Sequence, residues 1–175
     1  MKIFLVGFMG CGKSYVGKHL APLMDFAFLD MDQFIEQREQ ATISEIFERG
    51  GEEHFRQIER QALEATADMD RFIIGTGGGA PCFYDNMEWM NQHGMTVYLK
   101  TPVEVLFERL ARKRSHRPLV AQLSDDELRQ FISRKLEERA PFYEQAQLVY
   151  ERFTDKKLAE IPRQIPYSIL FIQIE

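Results

Sequence analysis

The chain has 175 residues, 45% of them hydrophobic, and a formal net charge of −5. That length predicts a single domain with its own core, and the acidic balance argues against a protein that binds nucleic acid through phosphate contacts. Its longest apolar runs fall short of the roughly 18 residues that span a membrane. Cys11 and Cys82 lack metal-site spacing and suit a reducing compartment, so we predict a cytoplasmic protein.

A glycine-rich motif follows the first apolar run, Ile3-Phe4-Leu5-Val6. Residues 7–14 fit the phosphate-binding pattern G-x-x-x-x-G-K-[ST], and residues 15–24 have helical spacing of apolar side chains. Backbone N–H groups in such a loop turn inward around a phosphate, and the helix N-terminus adds a positive dipole. The alternative is a glycine-rich turn that binds nothing. The predicted nucleotide-binding residues of the loop are Gly10, Cys11, Gly12, Lys13, Ser14 and Tyr15.

Three side chains of this loop have specific expected roles. Lys13 would reach the β- and γ-phosphates of a nucleotide, and the Ser14 hydroxyl would coordinate Mg²⁺. Because Cys11 lies within the motif, we also expect that an alkylating reagent on its thiol would block ATP binding.

Two aspartates follow the second predicted strand, residues 26–29. In an extended chain Asp30 and Asp32 would point to the same side, and the carboxyl end of a parallel strand lies at the ligand edge of an α/β sheet. One could support Mg²⁺ through water, and the other could accept a proton from a hydroxyl nucleophile. The alternative is that Asp32 only caps the next helix, residues 33–39.

A charged helical region follows. Residues 42–45 have N-cap chemistry, Gly50-Gly51 predicts a break, and a second helix is predicted over about 52–67. Arg56 and Glu59 lie one turn apart, and such a pair is usually a solvated surface contact, which spacing alone favours. The alternative is an arginine held rigid to bind a substrate carboxylate.

A second glycine-rich turn, residues 77–79, follows the third predicted strand at 71–76. Three glycines after a buried strand let the backbone approach a ligand closely, so we favour a binding role over a flexible turn. A fourth strand is predicted at 96–99 and a further helix at 103–112, which continues the strand–helix alternation of an α/β fold.

The most basic segment runs from Arg109 to Arg117, with five cations in nine residues. It is either a solvated charge run or a mobile lid that closes on the phosphates of ATP. A helix from Ser124 to about 138 is expected to be interrupted at 139–143. A fifth strand is predicted at 148–153, and the apolar tail at about 166–175 is an added strand, an interface segment or a disordered tail.

These motifs together resemble the shikimate kinase family over residues 1 to about 157. The motifs that carry the resemblance are Gly7–Ser14, Asp30-Met31-Asp32, Phe55-Arg56, Gly77-Gly78-Gly79-Ala80, Arg117-Pro118-Leu119 and Arg139-Ala140-Pro141-Phe142-Tyr143. The resemblance implies a three-layer α/β/α P-loop kinase fold with a five-stranded parallel sheet, a substrate-binding segment at about 33–60 and a lid at about 112–124. It also implies transfer of the ATP γ-phosphate to the 3-hydroxyl of shikimate, with Mg²⁺, in aromatic amino-acid biosynthesis.

The resemblance assigns roles that spacing leaves open. The implied catalytic residues are Lys13, Asp32 and Arg117. The implied shikimate-binding residues are Asp32, Arg56, Gly78, Gly79 and Arg139, and the implied metal-binding residues are Ser14 and Asp30. Outside the phosphate loop, the implied nucleotide-binding residues are Arg109, Arg117 and Lys156. We expect a monomer.

Two other functions stay open at this stage. One is a different small-molecule P-loop kinase, such as a gluconate or nucleoside-monophosphate kinase. Arg56 and Arg139 argue against it, because a carboxylate substrate needs forked cations and no slot for an aromatic base. The other is a nucleotide-binding regulator, which would bind ATP without turnover.

Overall fold

The computed structural model describes residues 1–112 and 120–151. Within them, five parallel strands form one sheet in the order β2-β3-β1-β4-β5. The strands are β1 (Lys2–Val6), β2 (Ala27–Asp30), β3 (Phe72–Gly75), β4 (Met95–Lys100) and β5 (Leu148–Glu151). This confirms the predicted five-stranded parallel sheet. Arg117, Lys156, most of the expected lid and the apolar tail lie outside the described residues.

Helices cover both faces of the sheet. They are α1 (Lys13–Leu23), α2 (Met31–Glu39), α3 (Ile43–Glu64), α4 (Asn86–His93), α5 (Val103–Arg112) and α6 (Asp125–Tyr143). A short 3-10 helix spans Ala80–Cys82. No helix in the ranges 1–112 and 120–151 is long and apolar enough to cross a membrane.

The first strand shows why the molecule has three layers. All five residues of β1 are buried, as expected for a parallel strand covered on both faces. Ile3 and Leu5 pack in one apolar cluster with side chains of α1, α5 and α6. Phe4 and Val6 pack in the other with side chains of α2, α3 and α4 and with Tyr143 from the end of α6. The central strand therefore joins two cores.

The strand register aligns three connections at one edge of the sheet. Asp30 pairs with Gly75, and Gly75 pairs with Leu5. The phosphate loop after β1, the start of α2 after β2 and the glycine turn after β3 therefore leave the sheet side by side. Ligands of open α/β sheets bind at this carboxyl edge, where the strand order reverses.

Two predicted helix breaks have different outcomes. The break at Gly50-Gly51 is a kink inside α3, where Gly51 has φ 71° and ψ −171°. The interruption predicted at 139–143 is wrong, because α6 continues to Tyr143 with Pro141 in its last turn. A proline there forfeits only a bond near the helix end, and the Glu144 amide still donates to the Ala140 carbonyl at 2.9 Å.

Candidate nucleotide and acceptor site

The phosphate loop connects β1 directly to α1. Gly10 and Gly12 have φ values of 82° and 99°, a region that glycine enters without steric cost. Gly12 is the N-cap of α1 and has no side chain with which to cap the helix. The first N–H groups of α1 therefore point toward the cleft, where an anion would satisfy them.

Lys13 and Ser14 begin α1 and face the same region. The Lys13 ammonium group donates to the carbonyls of Gly7 at 2.7 Å and Phe8 at 3.1 Å, which holds it over the loop. The Ser14 hydroxyl donates to Oδ2 of Asp30 at 2.7 Å. The loop thus presents a cation beside a hydroxyl–carboxylate pair.

The hydroxyl–carboxylate pair fits Mg²⁺ in one particular way. Mg²⁺ in kinases is held by one or two protein oxygens together with substrate phosphates and water. Among the described residues, no cluster of three or more His, Cys, Asp or Glu could hold a metal ion. Ser14 and Asp30 supply two oxygens of this kind, so the pair fits an ion whose other ligands come from phosphates and water.

The start of α2 corrects the expected geometry of the two aspartates. The chain is not extended through Asp32, because α2 already begins at Met31. Asp30, not Asp32, is the N-cap, and its Oδ1 accepts the Asp32 amide at 3.2 Å. Both carboxylates still reach the cleft, since both line it.

That cleft has a volume of about 520 Å³. Its lining residues are Met9, Gly10, Gly12, Lys13, Ser14, Tyr15, Asp30, Asp32, Gly75, Thr76, Gly78, Arg109, Leu110 and Arg112. Most of the predicted phosphate-loop residues and both aspartates are in this set. The cleft therefore joins the predicted nucleotide site to the glycine turn after β3.

Arg109 lies on the nucleotide side of the cleft. Its guanidinium donates to the carbonyls of Gly10 at 3.3 Å and Cys11 at 3.2 Å, so it contacts the outer face of the phosphate loop. Cys11 is 0% exposed and packs in the apolar core. The expected alkylation of its thiol is therefore contradicted by burial, because a reagent cannot reach the sulfur in the folded protein.

Arg56 is buried, so the surface-contact interpretation is wrong. The residue is 8% exposed, and its guanidinium pairs with Glu59 at 2.7 Å and with Glu52 at 3.0 Å. The ring of Phe83 lies 4.1 Å from the guanidinium carbon, which adds a cation–π contact. Within the described residues the Nε–H of Arg56 has no acceptor. The arginine is thus held rigid inside the protein.

The glycine turn packs directly against this ion pair. A Cβ on Gly79 would lie 2.6 Å from Nη2 of Arg56, and a Cβ on Gly77 would overlap the Glu59 carboxylate. The same Cβ on Gly77 would lie 3.4 Å from Oδ1 of Asp32. Only glycine permits this close approach, so the turn brings backbone groups beside Arg56 and Asp32.

Arg139 reaches the same turn from α6. Its Nη1 donates to the carbonyl of Gly78 at 3.3 Å, and its guanidinium carbon lies 5.6 Å from the ring centroid of Phe8. Two arginines from different helices therefore flank one glycine turn. Neither arginine is among the described residues that line the cleft, and both connect to it through the glycine turn, of which Gly78 is a lining residue.

Glu59 lies at the site, but the sequence motifs did not identify it as a site residue. It is 2% exposed, and burial raises its pKa, while Arg56 and Arg139 act in the opposite direction. A signal for it exists in the sequence. Glu59 lies within the apolar stripe Phe55, Ile58, Ala62 and Leu63, and a carboxylate inside such a stripe is buried and needs a partner.

Comparison with known proteins agrees with this geometry. A family model described as "Shikimate kinase" matches residues 9–169. The chain belongs to the shikimate kinase family. It is 48% identical over 159 residues to a shikimate kinase of Parabacteroides distasonis, with 91% of each chain covered. The predicted family and the P-loop kinase fold are confirmed.

Solved structures of shikimate kinases superpose closely on the chain. The one from Bacteroides thetaiotaomicron has a TM-score of 0.86 at 45% identity, covering 91% of this chain and 92% of its own. The one from Acinetobacter baumannii, solved in complex with shikimate, has a TM-score of 0.84 at 37% identity. It covers 99% of this chain and 95% of its own.

Proposed function

We propose that this protein transfers the γ-phosphate of ATP to the 3-hydroxyl of shikimate, giving shikimate 3-phosphate and ADP. Family membership supports the reaction class, and a relative solved with shikimate supports the acceptor. The observation that carries the proposal is the convergence of Arg56 and Arg139 on one glycine turn beside the phosphate loop. The glycine turn therefore places two cations for an anionic acceptor next to the cleft that contains the phosphate loop.

The donor half binds the phosphates. Lys13 is held over the loop by the Gly7 carbonyl, where it would contact the β- and γ-oxygens of ATP, and the N-terminal amides of α1 would add donors along the helix axis. Phosphoryl transfer passes through a loose transition state, so positioning and charge neutralisation dominate catalysis. The loop supplies both. Mg²⁺ bound by Ser14 and Asp30 would supply further positive charge to the phosphate oxygens.

The acceptor half recognises a carboxylate. A guanidinium binds a carboxylate through two parallel N–H bonds, and Arg56 is already immobilised by Glu59 and Phe83. Arg139 adds a second guanidinium, which reaches the turn from α6. A rigid cation loses little entropy when it binds its ligand, so this pair favours a small carboxylate over a neutral sugar.

Asp32 is the residue that acts on the hydroxyl of the acceptor. It lines the cleft together with the phosphate loop and lies next to Gly77 of the glycine turn. In that position its carboxylate orients the acceptor hydroxyl and receives the proton as the new P–O bond forms. Arg117 and Lys156, which lie outside the described residues, stay predicted as the lid arginine and an adenine contact, and a cytoplasmic monomer stays our expectation.

A substrate panel tests the proposal. ADP release is measured by a coupled assay with shikimate, gluconate and nucleoside monophosphates as acceptors. We expect turnover with shikimate alone, because gluconate lacks a carboxylate borne on a ring and a nucleoside monophosphate needs an enzyme with a slot for its aromatic base. Turnover with another acceptor but not with shikimate would indicate a different kinase. ATP binding without turnover of any acceptor would indicate a regulator.

A further inference from the structure

Tyr143 ends α6 in a buried position that the mechanism above does not use. It is 0% exposed and is among the largest fully buried side chains. Its hydroxyl donates to the carbonyl of Gly78 at 2.5 Å, across 65 residues of sequence. Burial raises the pKa of this hydroxyl, so it keeps its proton at every pH where a kinase works.

The Gly78 carbonyl receives two donors. One is Tyr143, and the other is Nη1 of Arg139 at 3.3 Å, one helical turn earlier in α6. The tyrosine contact is much the shorter, so it carries most of the carbonyl's hydrogen bonding. The arginine contact is long enough to be exchanged for a better acceptor.

Gly78 also touches the donor half of the cleft. A Cβ at Gly78 would lie 3.1 Å from the amide nitrogen of Met9 in the phosphate loop. The Gly78 peptide is therefore packed between the phosphate loop on one side and α6 on the other. A rotation of this peptide would change the distance between donor and acceptor groups.

We propose that Tyr143 is a positioning residue for the acceptor. By satisfying the Gly78 carbonyl, its hydroxyl leaves the Arg139 guanidinium available for the acceptor carboxylate and keeps the glycine turn seated against the phosphate loop. Without the hydroxyl, Arg139 is the remaining side-chain donor to this carbonyl among the described residues and is held there, because a polar group in this environment must find a donor. The inference rests on the proposed function and names a residue that acts through Arg139 and Gly78.

Tyr143→Phe tests this role, since phenylalanine keeps the ring and removes only the donor. We expect the KM for shikimate to rise about tenfold, because the free energy of one hydrogen bond corresponds to about that factor. The KM for ATP should change by less than about twofold. Tyr98→Phe is the matched control. Tyr98 is 4% exposed, its ring centroid lies 5.1 Å from that of Tyr143, and its hydroxyl has no hydrogen bond within residues 1–112 and 120–151.

A double-mutant cycle separates positioning from packing. In an Arg139→Ala background, Tyr143→Phe is expected to change the KM for shikimate by less than about twofold, because the route through Arg139 is already lost. A purely structural role predicts a lowered melting temperature with the KM for shikimate unchanged. It would also be indicated by an equal change in that KM in the parent protein and in the Arg139→Ala variant. Either result overturns the proposal. Failure of the proposed function itself is distinct, because the unmodified enzyme would then not turn over shikimate.

Discussion

At the scale of single residues, the site depends on charged groups whose partners come from the fold. Arg56 is held by Glu59 and Phe83, and Arg139 by the Gly78 carbonyl. Asp32 has a different requirement, since its carboxylate must stay accessible to the acceptor hydroxyl. It is exposed and lines the cleft.

Asp32→Asn is predicted to abolish transfer while ATP still binds. The amide keeps the shape of the side chain but cannot accept a proton, and a positioned base contributes about 100-fold or more. We expect kcat to fall by at least that factor, measured by ADP release, with the dissociation constant for ATP changed by less than about threefold. Near-normal turnover would remove Asp32 from the catalytic role. Asp68→Asn, an exposed aspartate beyond the end of α3, is the control.

At the scale of elements, α3 shows how a backbone break serves a site. Thr42 caps its start in a reciprocal capping box with Glu45, as N-cap chemistry predicted. The kink at Gly51 then separates the first two turns from the part that carries Arg56 and Glu59. The second part packs its apolar stripe on the core, and this holds the buried ion pair beside the glycine turn.

Gly51→Ala is predicted to destabilise the protein through this kink. A Cβ at Gly51 meets nothing within 4 Å, so the cost is conformational: φ 71° with ψ −171° is a region open almost only to glycine. We expect the free energy of unfolding to fall by about 1–3 kcal/mol, measured by urea denaturation. Glu53→Ala, two residues further on at an exposed position, should change it by less than about 0.5 kcal/mol. Equal effects would contradict the conformational argument.

At the scale of the whole molecule, the strand order decides which residues meet. With β1 between β3 and β4, the loops after β1, β2 and β3 leave the sheet at one edge. Helix α6, which lies much later in the sequence, contacts the loop after β3 through Arg139. Residues 32, 56, 78 and 139 meet for this reason. The same packing buries Glu59, and this makes the stability of the whole fold depend on pH.

Glu59→Gln is predicted to remove the contribution of Glu59 to the pH dependence of the free energy of unfolding. The pKa of Glu59 is raised above its ordinary value of 4.5, chiefly by burial. At pH values between 4.5 and the raised pKa, Glu59 keeps its proton in the folded protein and has lost it in the unfolded chain. The contribution of Glu59 to the free energy of unfolding therefore falls as pH rises through this range. Glutamine has no such proton, and the variant should therefore gain stability relative to the parent as pH rises from 4.5.

Urea denaturation of both proteins at a series of pH values below and above 4.5 measures this difference. Below 4.5 both states of the parent are protonated, so the difference between variant and parent should be constant there. A difference that stays constant across the whole series, or one that changes in the opposite direction, would contradict a raised pKa. Glu53→Gln reports the effect of removing an exposed charge from the same helix.

The sequence by itself determined the features that depend on neighbours along the chain. The phosphate loop, the capping of α3, the buried parallel strands and the order of motifs all follow from local spacing and from glycine, proline and cap chemistry. These were enough to predict the fold class and to place Lys13, Ser14, Asp30 and Asp32 near one ligand edge.

Only the tertiary structure decided the features that depend on what packs over a residue. The burial of Arg56, the partner of Glu59 and the bond from Tyr143 to Gly78 all need elements distant in sequence. Spacing treats Arg56 and Glu59 as a surface pair because i,i+3 geometry is the same on either face of a helix. Burial is set by the surrounding elements, so the spacing of the Arg56–Glu59 pair left its place open, and the acceptor role of Arg56 came from the family resemblance of its motif instead.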